Sequence, residues 1–313
     1  NINIDTGGAL TLTGGLDVTD AGADNAGTLT LNVSSITLAG DSIIRTGVAG
    51  DAKTDMALTI SDVIGGTAGT ETLTLQSGGA DLTISSAIGG TTQVGDLALM
   101  GNDINVDANV EAENITITTA EGADADSVDI TGITLDANGG NVTLTTDDFI
   151  TGGTATITST GAAAGATVSI QGEAVGRSIG IGDGATAADL DLSEAELQDI
   201  DNTFTNIVIG TDANQSGAVT VNDAAGLTGL NTGLVLRAEA GGGVIINSAI
   251  DLTNDAGAGL STEGATTMNE DITTSGGDVT FANAVTVTGA RAIDTGNGGA
   301  AATAGNITFS QTI

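Results

Sequence analysis

The sequence predicts an all-β chain that folds as a right-handed parallel β-helix, a solenoid of short stacked strands with one short helical insertion. A triplet of apolar, Thr and apolar residues recurs along the 313 residues, usually after Asn, Asp or a small residue. The chain has 49 Gly, no Pro, Cys, His, Trp or Tyr, and four Phe. Its apolar residues are therefore mainly small or branched, and these suit a narrow core that grows by adding similar layers.

The recurring triplets predict the strands. Each has the alternation of a strand with one buried side, and its β-branched residues suit a pleated surface. Asn, Asp and Gly around the triplets supply turn chemistry. Successive copies lie roughly 15 to 30 residues apart, which favours one solenoid coil per copy. The clearest copies are 10–12, 29–31, 82–84, 115–117, 142–144, 279–281 and 307–309.

A tandem of immunoglobulin-like sandwiches is the rival architecture, because such domains also consist of many short strands. They would usually contain a core Trp or Tyr and some Pro in their loops, and this chain has none of the three. We therefore expect a single continuous solenoid segment over residues 1–313.

One stretch, residues 183–206, departs from the triplet pattern. Ser193 followed by Glu196 is a capping box, so we expect a short helix near residues 193–201. Short helices on solenoids usually cover a coil edge. A projecting recognition loop is the alternative. Three apolar residues are expected to form the buried side of this insertion: Leu192, Leu197 and Ile200.

Charge excludes some classes of function. Five basic residues stand against 40 acidic ones, a formal net charge of −35. Nucleic-acid binding needs a basic footprint and is not expected, and anionic membrane surfaces would repel the chain. Without a run of 18 apolar residues, we expect no membrane insertion. The scattered carboxylates keep a long apolar rod soluble or, alternatively, bind cations.

Calcium is the one cofactor that the sequence leaves open. Four aspartates supply hard oxygens at close spacing, which Ca²⁺ prefers. The motifs of an EF-hand and of a calcium-binding β-roll are both absent, so solvated turns are the favoured interpretation. The candidate ligands are Asp20, Asp24, Asp124 and Asp126.

Enzymatic activity is not expected, and no residue is assigned as catalytic. Without His, Cys or Tyr, acid–base chemistry would fall to carboxylates, as in a polysaccharide-cleaving β-helix enzyme. The adjacent pair Asp147 and Asp148 is the candidate for that alternative, but no histidine or basic residue stands near it in the sequence. Thr-x-Thr pieces such as Thr116 and Thr118 suggest a more remote alternative, an ice-binding face.

Two sets of segments resemble the giant β-strand-repeat surface proteins of bacteria, which are similar to filamentous haemagglutinin-like adhesins. One set is the strand pair 277–281 and 285–289 with its second copy at 305–309. The other is the helix-like segment 192–200 with the strands 207–210 and 217–221. The resemblance implies a right-handed parallel β-helix, export to the cell surface, and a role in adhesion or fibre building.

The two ends of the sequence predict assembly. Residues 1–4 and 306–313 both have a strand pattern without a polar cap, and written in tandem they continue the same pattern. We therefore expect the chain to be part of a longer rod, as a segment of a longer chain or by head-to-tail stacking of copies through their terminal coils. A host surface or a biofilm is the expected partner of an adhesin of this kind.

Overall fold

The chain divides into two compact units, Asn1–Ala163 and Ala164–Ile313. In the part that the structure describes, the pairings between named strands are parallel. The prediction of an all-β parallel β-helix with one short helix is therefore confirmed. The computed structural model describes residues 2–19, 29–48, 55–120, 126–161, 165–174, 176–183, 188–211, 217–238, 241–296 and 304–313.

The first unit contains eighteen strands among its described residues. They are β1 (Ile2–Asp5), β2 (Ala9–Leu12), β3 (Leu16–Asp17), β4 (Leu29–Asn32), β5 (Ser35–Leu38), β6 (Ser42–Gly47), β7 (Leu58–Ile60), β8 (Ile64–Gly66), β9 (Leu73–Ser77), β10 (Leu82–Ile84), β11 (Val94–Gly101), β12 (Ile104–Val106), β13 (Val110–Thr119), β14 (Ser127–Asp129), β15 (Thr134–Ala137), β16 (Val142–Thr145), β17 (Asp148–Ile150) and β18 (Thr156–Thr158).

The second unit contains fifteen strands and one helix in its described part. They are β19 (Thr167–Gln171), β20 (Ile179–Ile181), β21 (Leu190–Leu192), α1 (Glu194–Gln198), β22 (Asn206–Thr211), β23 (Val219–Val221), β24 (Gly233–Ala238), β25 (Val244–Ile246), β26 (Ile250–Leu252), β27 (Leu260–Glu263), β28 (Thr266–Met268), β29 (Ile272–Thr274), β30 (Val279–Phe281), β31 (Val285–Val287), β32 (Ile293–Asp294) and β33 (Ile307–Phe309).

Each unit is a stack of coils, and the strands of successive coils build three main sheets, with β1 and β4 forming a separate two-stranded sheet in the first unit. In the first unit, sheet 1 has the order β17-β14-β12-β10-β7, sheet 2 the order β2-β5-β8, and sheet 3 contains β3-β6-β9-β11-β13-β16. The long strand β13 turns a corner, because its first half pairs with β15 and its second half with β16. In the second unit, sheet 4 is β21-β20-β23-β25-β28-β31, sheet 5 is β26-β29-β32, and sheet 6 contains β19-β22-β24-β27-β30-β33.

Aliphatic ladders fill the interior, as the sequence predicts. Parallel register places like residues above one another: Leu82 aligns with Ile104, Ile104 with Val128, and Val128 with Phe149. All four side chains are fully buried. Burial of such a side chain stabilises a fold by about 1.5–3 kcal/mol, so each added coil extends the core by a repeatable amount. The Thr between the apolar residues, such as Thr83, is less buried and points outward.

Glycine is required where coils pass closely at a corner. A Cβ added to Gly140 would lie 1.9 Å from the carbonyl oxygen of Glu113, and one added to Gly277 would lie 1.9 Å from that of Ala258. Both contacts are with the backbone of the neighbouring coil, which cannot move without breaking the ladder. These glycines therefore keep the coils at their stacking distance.

The helix forms as predicted at its start but is shorter than predicted. Ser193 is the N-cap, and both halves of the capping box with Glu196 are present. The helix ends at Gln198 instead of near residue 201. Acidic residues at a helix C-terminus oppose the helix dipole, and Asp199 and Asp201 follow this end directly. The three predicted apolar residues Leu192, Leu197 and Ile200 are fully buried.

The segment 183–206 is less irregular than predicted, because it also contains strand β21. Leu190 of β21 pairs with Ile179 of β20, on the edge of β20 opposite β23. The alternation Leu190, Asp191, Leu192 is the strand signal that the sequence interpretation missed. The helix lies against a neighbouring coil and does not project, since Glu194 Oε1 accepts the backbone N–H of Thr228 at 2.9 Å and its hydroxyl at 2.7 Å.

Candidate functional site

Carboxylates and carboxamides at the coil corners form the most regular polar feature of the molecule. In five places the residue just before a strand accepts a hydrogen bond from the backbone N–H of the aligned residue in the next coil, at 2.7–2.9 Å, and Asn114, at the corner inside β13, does the same. We call these residues the inter-coil acceptors. They are Asp41, Asp103, Asn109, Asn114, Asp271 and Asp278.

The position of the inter-coil acceptors follows from the register. Ile104 aligns with Val128, so Asp103 lies beside Ser127, and its Oδ1 is 2.9 Å from both the backbone nitrogen and the hydroxyl of Ser127. A backbone N–H at a corner has no ladder partner and needs one if it is withdrawn from water. The sequence indicates turn chemistry for Asn and Asp before the triplets, but it does not predict that their side chains accept backbone N–H groups of the next coil.

The arginines also join neighbouring coils. Arg45 pairs with Asp17, with which it is aligned in the ladder, and the Asp17 pKa lies well below its usual range because of this hydrogen-bonded ion pair. Arg237 Nε lies 2.7 Å from Glu263 Oε2, again between aligned residues. Two further pairs, Arg177 with Asp189 and Arg291 with Glu270, have nitrogen–oxygen distances of 3.6 and 3.2 Å. All four arginines are thus engaged with carboxylates, and Lys53 lies outside the described residues.

One carboxylate organises a whole loop. Glu71 is buried, and its two oxygens accept the Thr67 hydroxyl and the backbone N–H groups of residues 67, 68, 69 and 70. The Thr67 hydroxyl, and after it the backbone N–H groups of Glu71, Ala68 and Thr67, lower the Glu71 pKa to about 2 from its ordinary value of 4.5. The carboxylate faces its own loop, so its role is to fix the turn between β8 and β9.

A related effect operates at the insertion. Asp189 accepts the backbone N–H of Ser178 at 2.8 Å, with further contributions from the Ser178 hydroxyl and from Arg177, and these contacts lower the Asp189 pKa. Asp255, in the loop before β27, is the opposite case, because burial raises its pKa. The environment of each carboxylate is therefore set by local folding contacts.

The calcium candidates are not brought together in the described part of the chain. Asp20, Asp24 and Asp124 lie outside the described residues. Asp126 is buried at 1% exposure, and the register puts it beside Asp147 of the next coil. Among the residues with described positions, no group of three or more acidic side chains could hold a metal ion.

The candidate catalytic pair is split by the strand geometry. Asp147 is buried at 5% exposure, whereas Asp148, the first residue of β17, is exposed. Consecutive residues of an extended chain point to opposite sides. A glycoside-cleaving pair needs two carboxyl groups facing one cleft at a separation of about 5–9.5 Å. The two side chains therefore do not form such a pair.

Threonine has two positions in the fold. Outward columns such as Thr74, Ala98, Thr116 and Thr143 run across sheet 3. Buried corner threonines donate to backbone carbonyls of their own or a neighbouring coil. Thr146, for example, has its hydroxyl 3.0 Å from the Asp126 carbonyl and 2.7 Å from that of Asp148. The second position was not predicted, since nothing in the composition separates a buried hydroxyl from an exposed one.

The chain was compared with family models, curated proteins and solved structures, and no match was found in any of the three. The resemblance to bacterial surface-repeat proteins thus stays a prediction from the sequence. No helix in the described ranges is long and apolar enough to cross a membrane.

Proposed function

We propose that this chain forms part of the structural shaft of an extracellular bacterial surface fibre or adhesin, with no enzymatic activity. The use of its polar side chains between coils carries the proposal. The inter-coil acceptors and the arginine pairs join each coil to the next, and buried hydroxyls serve the corners. A fold that places its reactive side chains in stacking contacts is suited to bearing load along the stack.

The carboxylate geometry supports this proposal over the polysaccharide-cleaving alternative. Asp147 is buried and Asp148 is exposed on the other side of the chain, so the best candidate pair does not share a cleft. Glu71, a buried carboxylate with a strongly lowered pKa, is enclosed by its own loop.

End-to-end continuation is part of the same proposal. In the last described coil of the second unit, the ladder residues Val287 and Ile307 are 38% and 44% exposed. The Phe309 ring stacks on Phe281 with a centroid distance of 5.0 Å and an interplanar angle of 7°. We propose that a further coil covers these residues, supplied by the same polypeptide or by a second copy stacked head to tail.

Electron microscopy tests whether this chain forms part of a fibre on the cell surface. Immunogold labelling with antibodies against this chain is expected to decorate thin fibres on intact source cells. Protease treatment of those intact cells is expected to remove the epitope. Labelling confined to lysed cells would contradict the extracellular assignment.

Two lysine variants test the end-to-end contact on purified protein by sedimentation velocity over a range of concentrations. Ile307→Lys places a charge in the terminal ladder, whereas Thr308→Lys makes the same change at the neighbouring exposed residue. The wild type and Thr308→Lys are expected to form concentration-dependent rods, and Ile307→Lys to remain monomeric. Monomers at every concentration for the wild type, or equal assembly of both variants, would contradict stacking of copies through this coil.

A further inference from the structure

A shallow groove runs along the outer surface of sheet 3, across four successive coils of the first unit. Its floor is the backbone around Leu73 and Leu97, whose side chains point into the core. One ridge is the column of residues just before a ladder of aligned buried residues, and the other is the outward column just after that ladder. The ladder consists of Leu73, Leu97, Ile115 and Val142. The ridges are formed by Thr72, Asp96, Asn114 and Asn141 on one side and by Thr74, Ala98, Thr116 and Thr143 on the other.

The first ridge is held rigid by hydrogen bonds between coils. Asn141 donates its backbone N–H to Asn114 Oδ1 at 2.9 Å, and Asn114 Nδ2 donates to Asp96 Oδ1 at 2.7 Å. One coil beyond the groove, Asp41 accepts the backbone N–H of Thr72 at 2.9 Å. The donors and acceptors along this ridge are therefore fixed in place before any ligand binds, which lowers the entropic cost of binding.

The second unit has a groove at the same strand positions of sheet 6. It lies between the column just before the buried ladder of sheet 6, with Asn206, Gly259 and Asp278, and the outward column just after that ladder, with Ser261 and Thr280. The two grooves are similar in size, about 380 and 400 Å³. A groove that recurs at equivalent strand positions favours an extended ligand that lies along the coil stack, with repeating groups that meet repeating coils.

Charge decides which extended ligand is complementary. Asp41 and Asp96 are both exposed and lie two coils apart on one ridge, about 9.6 Å at a coil spacing of about 4.8 Å. Asp278 is exposed on the corresponding ridge of the second unit. All four arginines are paired with carboxylates, and the formal net charge is −35. An anionic polymer would be repelled, whereas a polymer with regularly spaced ammonium groups would be attracted.

The remaining lining residues favour hydroxyl-rich ligands. Thr74, Thr116 and Thr143 offer hydroxyls, and Asn114 and Asn141 offer carboxamides. Hydroxyl and amide groups can both donate and accept, as a sugar ring requires. The groove has no large apolar wall that would select an apolar peptide side chain.

We propose that the groove of sheet 3, extended by Asp41 one coil beyond it, binds a linear amino-polysaccharide whose ammonium groups pair with Asp41 and Asp96 and whose hydroxyls meet the Thr and Asn ridges. This inference rests on the adhesive role in the proposed function and names the class of surface polymer bound. A cationic glycan of this kind would tether the shaft along its side and leave its coil ends available for stacking.

The test is isothermal titration of the purified chain with three oligomers of equal length. They are a glucosamine hexamer, the fully N-acetylated hexamer, which has the same backbone without charge, and hexalysine, which has charge without sugar. The glucosamine hexamer is expected to bind more tightly than both others, and its affinity is expected to fall as salt is added.

A pair of double variants locates the contact. Asp41→Asn with Asp96→Asn removes two charges from the ridge and keeps the Oδ1 acceptors that the fold uses. Asp81→Asn with Asp107→Asn removes the same charge from exposed positions next to sheet 1. The ridge variant is expected to bind the glucosamine hexamer about three- to tenfold more weakly, and the sheet 1 variant to bind as the wild type does.

Three results would contradict binding of the amino-polysaccharide in the groove. They are equal losses of affinity in both double variants, equal affinity of the wild type for the glucosamine and N-acetylated hexamers, and tighter binding of hexalysine than of the glucosamine hexamer. None of them bears on fibre labelling or on the Ile307→Lys assembly test. The experiments can therefore contradict the proposed glycan binding and the proposed shaft function independently.

Discussion

Two coils of this protein fill the same kind of layer in different ways. In the coil 127–145 of the first unit, three strands follow one another, and the middle place belongs to β15. In the coil 179–211 of the second unit, the middle place belongs to helix α1, and the extra strand β21 is added beside β20. Leu135 of β15 and Leu197 of α1 are both fully buried. A layer therefore needs its interior filled and its long sheet in register, but it does not need a strand on every side.

The polar contacts of the two coils differ accordingly. In the regular coil, the backbone N–H of Asn141 meets the inter-coil acceptor Asn114. At the insertion, a hydrogen bond within the coil replaces the hydrogen bond between coils, since Glu196 accepts the backbone N–H and the hydroxyl of Ser193. The helix then reaches its neighbour through long side chains, with Gln198 Nε2 3.2 Å from the carbonyl oxygen of Thr228.

The strongest test of this comparison removes one buried leucine from each coil. Leu135→Ala and Leu197→Ala are each expected to lower the free energy of unfolding by about 2–5 kcal/mol, because both leave a cavity in a filled layer. Urea unfolding of both variants provides the measurement. A loss below about 1 kcal/mol for Leu197→Ala alone would show that the helix is a surface addition and not part of the layer.

A corner glycine provides the next test. Gly140→Ala is expected to lower the free energy of unfolding by about 1–3 kcal/mol, because the new Cβ would lie 1.9 Å from the Glu113 carbonyl oxygen. Gly14→Ala is the matched control, since a Cβ there meets no atom within 4 Å. The control is expected to be neutral or slightly stabilising, and equal losses in both variants would contradict the steric argument.

Acid tests the carboxylate that closes a loop in a regular coil, Glu71. The Glu71 pKa is lowered to about 2 in the folded chain from 4.5. A lowered pKa stabilises the fold above the unfolded value, so this contribution is complete above about pH 4.5 and is lost as the pH falls towards 2. Thermal unfolding followed between pH 7 and 2 measures it.

Glu71→Gln supplies the control for the acid experiment. The variant is expected to be less stable than the wild type at pH 7, because an amide cannot accept all the N–H groups that surround Glu71. The difference is expected to shrink as the pH falls through the window from about 4.5 to 2. A constant difference across that window would show that the Glu71 charge does not stabilise its loop.

The smallest expected effect lies at the start of the helix. Ser193→Ala removes the hydroxyl that accepts the Glu196 N–H at 3.2 Å, and is expected to cost about 1 kcal/mol. Ser261→Ala, at an outward position of β27, is the control and is expected to change stability by less than about 0.5 kcal/mol. Equal effects would mean that the capping box contributes nothing beyond the general cost of losing a hydroxyl.

The fold could be predicted because its interior repeats. Triplets such as Leu82–Ile84 show the alternation of a strand and supply the aliphatic residues of the ladder. The capping box at Ser193 and Glu196 marks the start of the helix. Strand β21 could not be predicted with the same ease, because three residues inside an acidic segment give little periodicity. The helix end was also missed, since it depends on the unfavourable aspartates after Gln198 and not on the apolar pattern.

The candidate site was harder to predict than the fold. Asp103 and Ser127 are 24 positions apart, and only the register shows that one serves the other. The role of Asp147 likewise depends on which side of the strand it occupies. The partners of the carboxylates lie in neighbouring coils, so they depend on how the coils stack. The sequence of one coil does not contain that information.

The inter-coil acceptors favour folding of this chain coil by coil from its N-terminal side to its C-terminal side. Each of them precedes its donor in the sequence, as Asp103 precedes Ser127 and Asp278 precedes Asn306. A coil that emerges later from the ribosome therefore meets acceptors that are already in position. At the insertion the order is reversed: the Asp183 N–H must wait for Asp223, forty residues later. At the insertion, one backbone N–H of a coil therefore gains its partner only when the following coil is in place.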